Sequence, residues 1–394
     1  MSNLEELIQQ YCPDGVEYKP LGEVCDIHKG VQFNKTDMKE EGSYPVINGG
    51  INPSGYVEVF NEEKETITIS QGGASAGYVN FIMTRFWLGA HCYAVRPTQQ
   101  VLNRYLYHFF KQNERTLQQC QYGAGIPALA KATIINLSIP VPPLPVQEEI
   151  VRILDNFAEL QAELQAELQK RLQQYNYYRD NLLSFEGRTD VEWKKLGELG
   201  VFYGGLSGKT KDDFSNGNAK FISYKNVFYN LSLNVDTDER VKIEEGEKQN
   251  TVQYGDVLFT GSSETPDECG MSSVLTQKTD EKLYLNSFCF GYRLHNPSLF
   301  CLDFLKHLFR SSELRKQIGK TASGTTRFNV SKKRFAEVSI PIPPLPIQKQ
   351  IADILDKFYT LTADLTAGLP AEIEARRKQY EYYRDKLLTF KQKA

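Results

Sequence analysis

The sequence predicts an α+β fold with two tandem globular domains of twisted mixed β-strands and short helices. Two long helices separate the domains and are expected to form an antiparallel coiled coil with pseudo-twofold symmetry. Three observations predict this fold. The segment LSIPVPPLPVQEEIVRILDNF at 137–157 returns at 338–358 as VSIPIPPLPIQKQIADILDKF, and VEYKPLGEV at 16–24 returns at 191–199 as VEWKKLGEL. Between them lie β-branched and aromatic runs such as ETITIS, GYVNFI, GDVLFT and FCFGYRL, which are typical of strands.

The first globular domain is expected over residues 1–145 and the second over residues 188–346. A chain of 394 residues with 41% hydrophobic residues can bury two cores of ordinary size. Each domain contains an aromatic segment with helical spacing, YLYHFF at 105–110 and FLKHLF at 304–309. We expect these segments to belong to the cores rather than to surfaces that stack on bases.

Each proline-rich segment is followed by a long helix, expected over residues 146–187 and 347–394. Closely spaced prolines exclude helix, whereas a helix can begin at or just after Pro145 because the missing N–H costs nothing there. Apolar residues then keep helical spacing for about 40 residues, or about 60 Å of helix. Such a long apolar stripe needs a partner, and the other long helix is the best candidate. The alternative is that the helices pack on their own domains or mediate dimerisation.

Inside the first long helix, the tetrad AELQ occurs three times over residues 158–169. Four residues advance a helix by about 400°, so one tetrad adds about 6 Å of length and about 40° of rotation. We expect the number of tetrads to set the spacing between the two domains. The alternative is a low-complexity helix without this role. Gly368 and Pro370 predict a break in the second helix, which has no tetrad repeat.

Composition argues against several classes of protein. The beginning MSNLEELIQQY has no signal-peptide character, and no apolar run approaches the roughly 20 residues that span a bilayer. A cytoplasmic protein that does not bind membranes is therefore expected. The seven cysteines form no CxxC pair, which argues against a zinc ribbon and against a disulfide framework. We expect reduced thiols that are mostly packed.

Several motifs imitate catalytic sites without completing them. GGLSGKT at 204–210 is similar to a phosphate-binding loop, but Tyr203 stands where its first glycine belongs. The segment at 13–19 imitates the nuclease motif PD…ExK, yet the two residues between Asp14 and Glu17 are too few to place both carboxylates on adjacent strands. The chain has no Asn/Asp-Pro-Pro-aromatic motif of amino-methyltransferases, and its five histidines lack metal-ligand spacing. No catalytic residue, metal or cofactor is expected in this chain.

Positive charge is concentrated in one stretch of each domain, although the formal net charge of the chain is −3. Residues 306–334 contain nine Lys or Arg against one Glu, a net charge of +8. The corresponding residues 104–131 contain four against one, a net charge of +3. Binding to DNA phosphates is electrostatic, so these stretches are candidates for it. An ordinary solvated helix face is the alternative for the lysines.

Loops rich in amides, hydroxyls and glycine are candidates for contacts with base edges, because these groups form hydrogen bonds in the grooves of DNA. An ordinary turn is the alternative for each loop. In the first domain the candidates, including the basic stretch, are Lys29, Gln32, Asn34, Asn48, Gln71, Ser75, Gln121, Tyr122, Gly125 and Lys131. In the second domain they are Ser207, Lys209, Lys211, Tyr224, Asn226, Ser262, Ser263, Arg327, Asn329, Lys332 and Lys333. Because the loops differ between the domains, we expect two different half-sites.

Over essentially its whole length, the chain resembles the specificity subunits of type I restriction-modification systems. The resemblance rests on the signature IPxPPLPxQ, which is present twice, and on a YYRD segment near the end of each long helix. The signature residues are Pro142, Pro143, Gln147 and Arg179 in the first copy, and Pro343, Pro344, Gln348 and Arg384 in the second. Where the signature usually has a small or acidic residue before the glutamine, this chain has Val146 and Ile347.

The resemblance implies that each globular domain is a target recognition domain for one half of a bipartite site on double-stranded DNA. It also implies that the helices set the spacer and dock two methyltransferase subunits, to which restriction subunits can be added. S-adenosylmethionine is expected in the methyltransferase partner, and this chain is expected to be a non-catalytic recognition subunit. The alternative is a non-enzymatic coiled-coil adaptor whose domains bind proteins rather than DNA.

Overall fold

The structure, a computed structural model, describes residues 2–123, 127–363 and 368–393. The chain divides into two compact units. Unit 1 comprises Met1–Gln165 and Glu372–Ala394, and unit 2 comprises Ala166–Ala371. Each unit therefore contains one globular domain together with segments of both long-helix regions.

Unit 1 begins with a short helix and continues with short strands and further helices. Its elements are α1 (Ser2–Tyr11), β1 (Tyr18–Pro20), α2 (Leu21–Val24), β2 (Cys25–Lys29), β3 (Tyr44–Ile47), β4 (Tyr56–Val57), β5 (Thr66–Ser70), β6 (Val79–Ile82), β7 (Trp87–Leu88), β8 (Cys92–Pro97), α3 (Asn103–Gln119), α4 (Lys131–Ile135), β9 (Ser138–Pro140) and α5 (Leu144–Leu182), with a 3-10 helix at Lys35–Asp37. The second part of α5 belongs to unit 2.

Unit 2 repeats this alternation of strands and helices. Its elements are β10 (Glu192–Lys195), α6 (Leu196–Leu199), β11 (Gly200–Gly204), β12 (Ala219–Ile222), α7 (Tyr224–Tyr229), β13 (Arg240–Val241), β14 (Thr251–Val252), β15 (Val257–Thr260), β16 (Ser262–Ser263), β17 (Ser272–Val274), β18 (Leu283–Leu285), β19 (Cys289–Leu294), α8 (Leu302–Leu308), α9 (Ser312–Gly319), β20 (Ala322–Ser323), β21 (Phe328–Val330), α10 (Lys332–Phe335), β22 (Ser339–Ile342) and α11 (Leu345–Ala363), with 3-10 helices at Lys211–Phe214, Pro266–Glu268 and Pro297–Leu299. The last helix, α12 (Leu369–Leu387), lies mostly in unit 1.

The two units share one sheet plan, as the sequence predicted. A four-stranded antiparallel sheet has the order β2-β8-β5-β6 in unit 1 and β11-β19-β15-β17 in unit 2. A mixed sheet has the order β4-β3-β7 in unit 1 and β13-β12-β18-β14 in unit 2, with parallel pairing of β3 to β7 and of β12 to β18. β5 and β15 are buried at every residue because each is a central strand. Their sequences TITIS and VLFT accordingly favour strand through β-branched and aromatic residues.

The two repeated sequence segments pair with each other inside each unit. β1 lies antiparallel to β9, with Lys19 opposite Ile139, and β10 lies antiparallel to β22, with Lys194 opposite Ile340. The prolines that follow end this pairing. The next helix begins at its signature leucine, one residue before the expected proline, because the whole first turn of a helix tolerates a missing N–H.

The core of each unit is built around the four-stranded sheet and an aromatic helix, α3 or α8. Tyr105 and Phe110 of α3 are fully buried, as is Phe304 of α8, which confirms that the aromatic segments are core. The long helices also contribute to these cores, through Ile150 in unit 1 and Leu355 in unit 2. The ends of the long helices therefore pack on the globular domains, which was the alternative interpretation.

The long helices also pack on each other within each unit. In unit 1 the rings of Phe157 and Tyr383 stack with centroids 5.4 Å apart, and in unit 2 those of Tyr178 and Phe358 stack at 5.3 Å. Gly368, just before α12, has a φ of +89°, which agrees with the predicted break. No helix in the described part of the chain is long and apolar enough to cross a membrane. The seven cysteines are free, and most of them are buried, as expected.

Candidate nucleic-acid interface

In unit 1, the loop that follows β5 pairs with the loop that precedes α4. Gly72 forms a β-bridge with Ala128, and the Leu129 N–H donates to the Gln71 carbonyl at 2.7 Å. Tyr122 forms a second bridge with Ala128. We call residues 71–76 together with 121–123 and 127–130 loop pair 1. Candidate residues that are far apart in sequence are thereby brought together; they are Gln71, Ser75, Gln121 and Tyr122.

Unit 2 contains the same arrangement. β16 lies antiparallel to β21, with Ser262 opposite Asn329. The Val330 N–H donates to the Gly261 carbonyl at 2.9 Å, which is the counterpart of the bond between Leu129 and Gln71 in unit 1. We call residues 261–264 together with 324–330 loop pair 2. It brings together the candidates Ser262, Ser263, Arg327 and Asn329.

A third segment meets each loop pair at the turn before β8 or β19. In unit 1, the Gln71 N–H donates to the His91 carbonyl at 2.8 Å, and the His91 N–H donates to the side-chain oxygen of Asn48 at 3.2 Å. In unit 2, the Gly261 N–H donates to the Phe288 carbonyl at 2.7 Å. His91 and Phe288 therefore occupy equivalent places, and the Phe288 side chain is 56% exposed.

Loop pair 2 borders an open cleft of about 590 Å³. The cleft is lined by Tyr224, Lys225, Phe228, Tyr229, Ser262, Ser263, Glu264, Glu268, Phe288, Thr326 and Arg327. The Tyr224 hydroxyl donates to the Ser262 carbonyl at 2.8 Å, which fixes one wall of the cleft. Aromatic faces combined with hydroxyls and cations are the groups that contact bases and phosphates in nucleic-acid interfaces.

The Arg327 side chain is held in one orientation at the edge of this cleft. Its Nε and one terminal nitrogen donate to the Ser262 hydroxyl oxygen at 3.2 and 3.0 Å. Its guanidinium carbon lies 5.4 Å from the centre of the Phe288 ring, which is a cation–π contact. Loop pair 2 thus presents a positive charge next to an exposed aromatic ring.

Three cations of the basic stretch in unit 2 support the fold. Arg310 and Arg315 donate to backbone carbonyls, and burial lowers the pKa of both guanidinium groups to about 10. Lys306 is buried between the carboxylates of Asp303 and Asp356, at 2.7 and 2.8 Å. These side chains are satisfied inside unit 2 and do not contribute to a surface for DNA.

The other six cations of this stretch are exposed: Lys316, Lys320, Arg327, Lys332, Lys333 and Arg334. Within residues 2–123, 127–363 and 368–393, no carboxylate lies within 4.0 Å of any of them. None of them therefore forms an ion pair with another described side chain. Their positive charge is available to phosphate groups although the whole chain is slightly acidic.

The basic stretch of unit 1 has fewer cations without an ion pair. Arg104 pairs with Asp155 at 2.5 Å, and Lys111 pairs with Glu114 at 2.6 Å. Arg115 and Lys131 are exposed, and the described ranges contain no carboxylate within 4.0 Å of either. Among the described residues, the basic stretch of unit 1 has two exposed cations without an ion pair and that of unit 2 has six, so the stretch of unit 2 is the stronger electrostatic partner for DNA.

Two of the sequence candidates make their polar contacts inside unit 2 and are not available at its surface. Asn226 is buried, its amide donates to the Asn234 carbonyl at 2.8 Å, and its side-chain oxygen accepts from the Asn234 N–H at 3.1 Å. Lys209 forms an ion pair with Glu247 at 2.6 Å, and its side chain is only 8% exposed. We correct the expectation that Asn226 and Lys209 contact DNA, because their polar groups are already satisfied within unit 2.

Other candidates are exposed but belong to other segments. Lys29, Gln32 and Asn34 are exposed and lie in or after β2, a segment that is tied to β7 by the bond from the Trp87 ring N–H to the Val31 carbonyl at 2.9 Å. In unit 2, the exposed candidates outside loop pair 2 are Ser207, Lys211, Lys332 and Lys333. Lys332 and Lys333 begin α10, directly after loop pair 2. Gly125 lies outside the described residues.

Sequence reasoning missed three aromatic residues of the cleft in unit 2, namely Phe228, Tyr229 and Phe288. A signal for Phe288 was present. The aligned runs HCYAV and FCFGY become β8 and β19, and each run begins with the residue at the turn before its strand. Phe228 and Tyr229 gave no such signal, because their exposure depends on where α7 ends.

A family model for the type I restriction modification DNA specificity domain matches residues 13–174 and again residues 189–375. The two matches cover most of the chain and separate at the end of α5. The chain belongs to this DNA specificity family. The resemblance recognised in the sequence is confirmed, and the two matched ranges agree with the duplication.

A relative in this specificity family covers almost the whole chain. The specificity subunit of the type I restriction enzyme EcoR124I/EcoR124II from Escherichia coli is 31% identical over 99% of this chain and 97% of its own length. A crystal structure of the S subunit of a type I system from M. genitalium matches with a TM-score of 0.56, 17% identity and 95% coverage of both chains. A structure described under complex assembly and conformational transition of the type I R-M system matches with a TM-score of 0.57, 17% identity and coverage of 96% and 98%. The two structures support the fold.

The signature glutamines of the specificity family fix each proline-rich segment to its unit. Gln147 and Gln348 are both fully buried. Each donates to two backbone carbonyls and accepts from one backbone N–H, at distances between 2.7 and 2.9 Å. The partners are Gln100, Pro142 and Leu102 for Gln147, and Leu299, Pro343 and Cys301 for Gln348. The signature therefore contains a structural residue whose side chain has no free hydrogen-bonding group for another partner.

The signature arginines of the family lie in the YYRD segments of α5 and α12. Arg179 lies over the ring of Tyr175, and Arg384 lies over the ring of Tyr380, each at 5.6 Å from the ring centre. Arg384 also donates to the carbonyl of Lys111 in α3 at 3.2 Å. The bond from Arg384 to Lys111 joins the end of α12 to the aromatic helix α3 of unit 1.

A buried histidine joins both long-helix regions to the globular domain in each unit. It contacts an aspartate of one long helix at 2.7 Å and a tyrosine hydroxyl of the other at 3.1 or 3.2 Å. The two sets are His108, Asp155 and Tyr380 in unit 1 and His307, Asp356 and Tyr175 in unit 2. Burial lowers the pKa of both imidazoles below the usual value of 6.5 and outweighs the adjacent aspartate.

Proposed function

We propose that this chain is the DNA-reading subunit of a type I restriction-modification complex and that each unit reads one half of a bipartite site. Loop pairs 1 and 2 carry this proposal, since the same backbone bonds recur in both units while the side chains differ. Ala128 and His91 in unit 1 correspond to Asn329 and Phe288 in unit 2. Equal frames with different side chains suit two different half-sites, because sequence is distinguished by the groups that meet base edges.

The exposed cations of the basic stretch outside loop pair 2 supply contacts to phosphates; they are Lys316, Lys320, Lys332, Lys333 and Arg334. Such contacts raise affinity and orient the protein on the duplex without distinguishing sequences. Lys332 and Lys333 directly follow loop pair 2 in the chain, so phosphates held there lie close to bases that the loops contact. The cations outside loop pair 2 therefore position the loops, and the loops discriminate between sequences.

Within the complex, the chain acts in the cytoplasm as a non-catalytic subunit. We propose that two methyltransferase subunits, which bind S-adenosylmethionine, dock on the long helices and that restriction subunits join them. The names of the relatives support this proposal, because the Escherichia coli protein is a specificity subunit of a type I restriction enzyme and one similar structure concerns assembly of the type I R-M system. The proposed target recognition domains are residues 1–145 and 188–346, with spacer helices at 146–187 and 347–394.

Methylome sequencing tests the proposal in the host. The chain is deleted, and the strain is then complemented either with the wild-type chain or with an empty vector. We expect N6-methyladenine to disappear from one bipartite motif on deletion and to return only with the wild-type chain. Unchanged methylation at every motif would contradict the proposal and favour the protein-binding adaptor.

A further inference from the structure

We infer, on the basis of the proposed function, that Arg327 recognises a guanine in the half-site read by unit 2. Ser262 and Phe288 act as positioning residues, because they fix the guanidinium group before DNA arrives. Arg327 would thus be the discriminating residue of unit 2, and guanine the base that it selects.

The hydrogen bonds of Arg327 leave one edge of its guanidinium group free. Nε and one terminal nitrogen are occupied by the Ser262 hydroxyl oxygen at 3.2 and 3.0 Å. An arginine has five N–H donors in a fixed planar fork, so the other terminal nitrogen keeps both of its donors and the shared one keeps its second. Two parallel N–H groups therefore remain on the terminal edge. Two parallel donors match the O6 and N7 acceptors of guanine in the major groove.

Phe288 gives the guanidinium group a second contact. The guanidinium carbon lies 5.4 Å from the ring centre, and the Phe288 backbone is held by the bond from the Gly261 N–H to its carbonyl at 2.7 Å. A guanidinium group that is held by two contacts loses less conformational entropy on binding than a free arginine does. Arg327 is therefore better suited to a directional contact than Lys332 of α10, whose Nζ lies 5.5 Å from the centre of the Phe290 ring but which lacks the planar fork.

The charge of Arg327 is not neutralised within its cleft. Glu264 and Glu268 line the same cleft, but Glu268 accepts from the Ser263 hydroxyl at 2.9 Å, and no carboxylate of the described chain lies within 4.0 Å of the Arg327 guanidinium group. Arg293 of the same unit gives the contrast, because it binds the buried Asp256 at 2.6 Å and supports the fold. A positioned arginine without a carboxylate partner has its free edge available for an external acceptor.

The turn that carries Arg327 depends on Gly324. Its φ is +154°, and a Cβ atom there would lie 2.0 Å from the Arg327 carbonyl oxygen. Only glycine permits this close approach of the two backbone segments. The turn thus helps to place the Arg327 side chain beside the Ser262 hydroxyl through a backbone feature that is independent of the side-chain contacts.

The test uses the complete modification complex, formed by the full chain and its methyltransferase subunits. Binding is measured to duplexes that contain the methylated motif, in which each guanine of the unit 2 half-site is replaced in turn by 7-deazaguanine, which lacks the N7 acceptor. We expect one replacement to weaken binding of the wild-type complex by roughly 2- to 12-fold, because O6 remains and only one of the two hydrogen bonds of the bidentate contact is lost. With Arg327→Ala, the same replacement should have no effect. Arg327→Lys keeps the charge but lacks the fork, so its sensitivity to this replacement should be smaller than that of the wild type.

Matched variants separate positioning from general damage to the fold. Arg240→Ala removes an arginine of unit 2 whose side chain is 42% exposed and which does not line the cleft, so the wild-type sensitivity to 7-deazaguanine should persist. Ser262→Ala should reduce the discrimination at the same guanine, and Ser262→Thr, which retains the hydroxyl, should restore it. A merely structural role of Ser262 would lower the melting temperature without changing discrimination at this single base.

Three other outcomes have distinct meanings. If Arg327→Ala weakens binding to all duplexes equally and leaves the sensitivity to every 7-deazaguanine unchanged, Arg327 contacts a phosphate and the inference is wrong. If the wild-type complex binds motif and scrambled duplexes alike, the proposed function itself fails. If Arg327→Ala does not assemble with the methyltransferase subunits, the comparison of Arg327→Lys with the wild type decides.

Discussion

Replacement of Lys332, Lys333 and Arg334 by alanine should weaken DNA binding in a manner that depends on salt and not on sequence. All three side chains are exposed at the start of unit 2's short helix α10, and no carboxylate of the described residues lies within 4.0 Å of them. Each lost phosphate contact reduces the slope of log K against log salt by about 0.9. Three lost contacts reduce it by about 2.7. Between 50 and 200 mM salt, the triple variant should therefore lose about 40-fold less affinity than the wild-type complex does.

Fluorescence anisotropy of the modification complex on a labelled duplex, repeated at several salt concentrations, measures this slope. A motif duplex and a scrambled duplex should show the same change in slope, since phosphates are common to both. Arg310→Ala is the matched control, because it removes a cation of the same basic stretch that donates to the Ser272 and Phe228 carbonyls. It should lower the stability of unit 2 and leave the slope unchanged. A triple variant with the wild-type slope, or with a loss confined to the motif duplex, would refute the reasoning.

Three further predictions concern the frame and the spacer. Gln147→Leu or Gln348→Leu leaves two backbone carbonyls and one backbone N–H without partners. Each substitution should lower the free energy of unfolding by about 2–5 kcal/mol in a denaturant titration. A loss below about 1 kcal/mol would mean that water replaces the side chain. The pKa values of His108 and His307 are lowered in the folded state, so the unfolded chain takes up protons first as the pH falls. The stability that the neutral histidines contribute is fully present above pH 6.5 and should fall as the pH drops below 6.5. In thermal melts, the difference in melting temperature between the wild type and His108→Gln should shrink at low pH, and a difference that stays constant would contradict this account. Deletion of one tetrad from residues 158–169 should shorten the methylated motif's spacer by about one or two base pairs and leave both half-sites unchanged, which methylome sequencing detects directly.

The fold was predictable from the sequence because its main determinants are local. Closely spaced prolines end the strands β9 and β22, and apolar spacing at helical period continues through α5. The sequence repeat then predicts two domains. The mutual pairing of the two repeated segments, with Lys19 opposite Ile139, was not predicted, because strand pairing joins residues that are distant in sequence and neither segment marks its partner.

The candidate site was only partly predictable, since charge and polarity are visible in a sequence while the partners of each group are not. Arg310, Arg315 and Lys306 count as positive charges in the sequence, yet their donors are satisfied inside unit 2. In the sequence, Asn226 is a plausible amide for contacts with bases. In the structure, Asn234, from a loop after α7, gives the Asn226 side chain both a donor and an acceptor. Hydrogen bonds of this kind depend on tertiary structure, so only the three-dimensional structure distinguishes a buried polar group from one that is free to recognise a partner.

The frame and the recognition groups differ in how they repeat between the units. Gln147 and Gln348 make the same three backbone bonds, and each loop pair is joined by the same backbone bond to the turn before β8 or β19. At that turn the side chain is His91 in unit 1 and Phe288 in unit 2. Side chains there can change without cost to the frame, because the frame bonds are made by backbone atoms and buried glutamines. A new half-site therefore requires substitutions in the loop pairs and at the turns before β8 and β19, and exchange of loop pair 2 together with Phe288 between such proteins should transfer the unit 2 half-site while the other half-site stays the same.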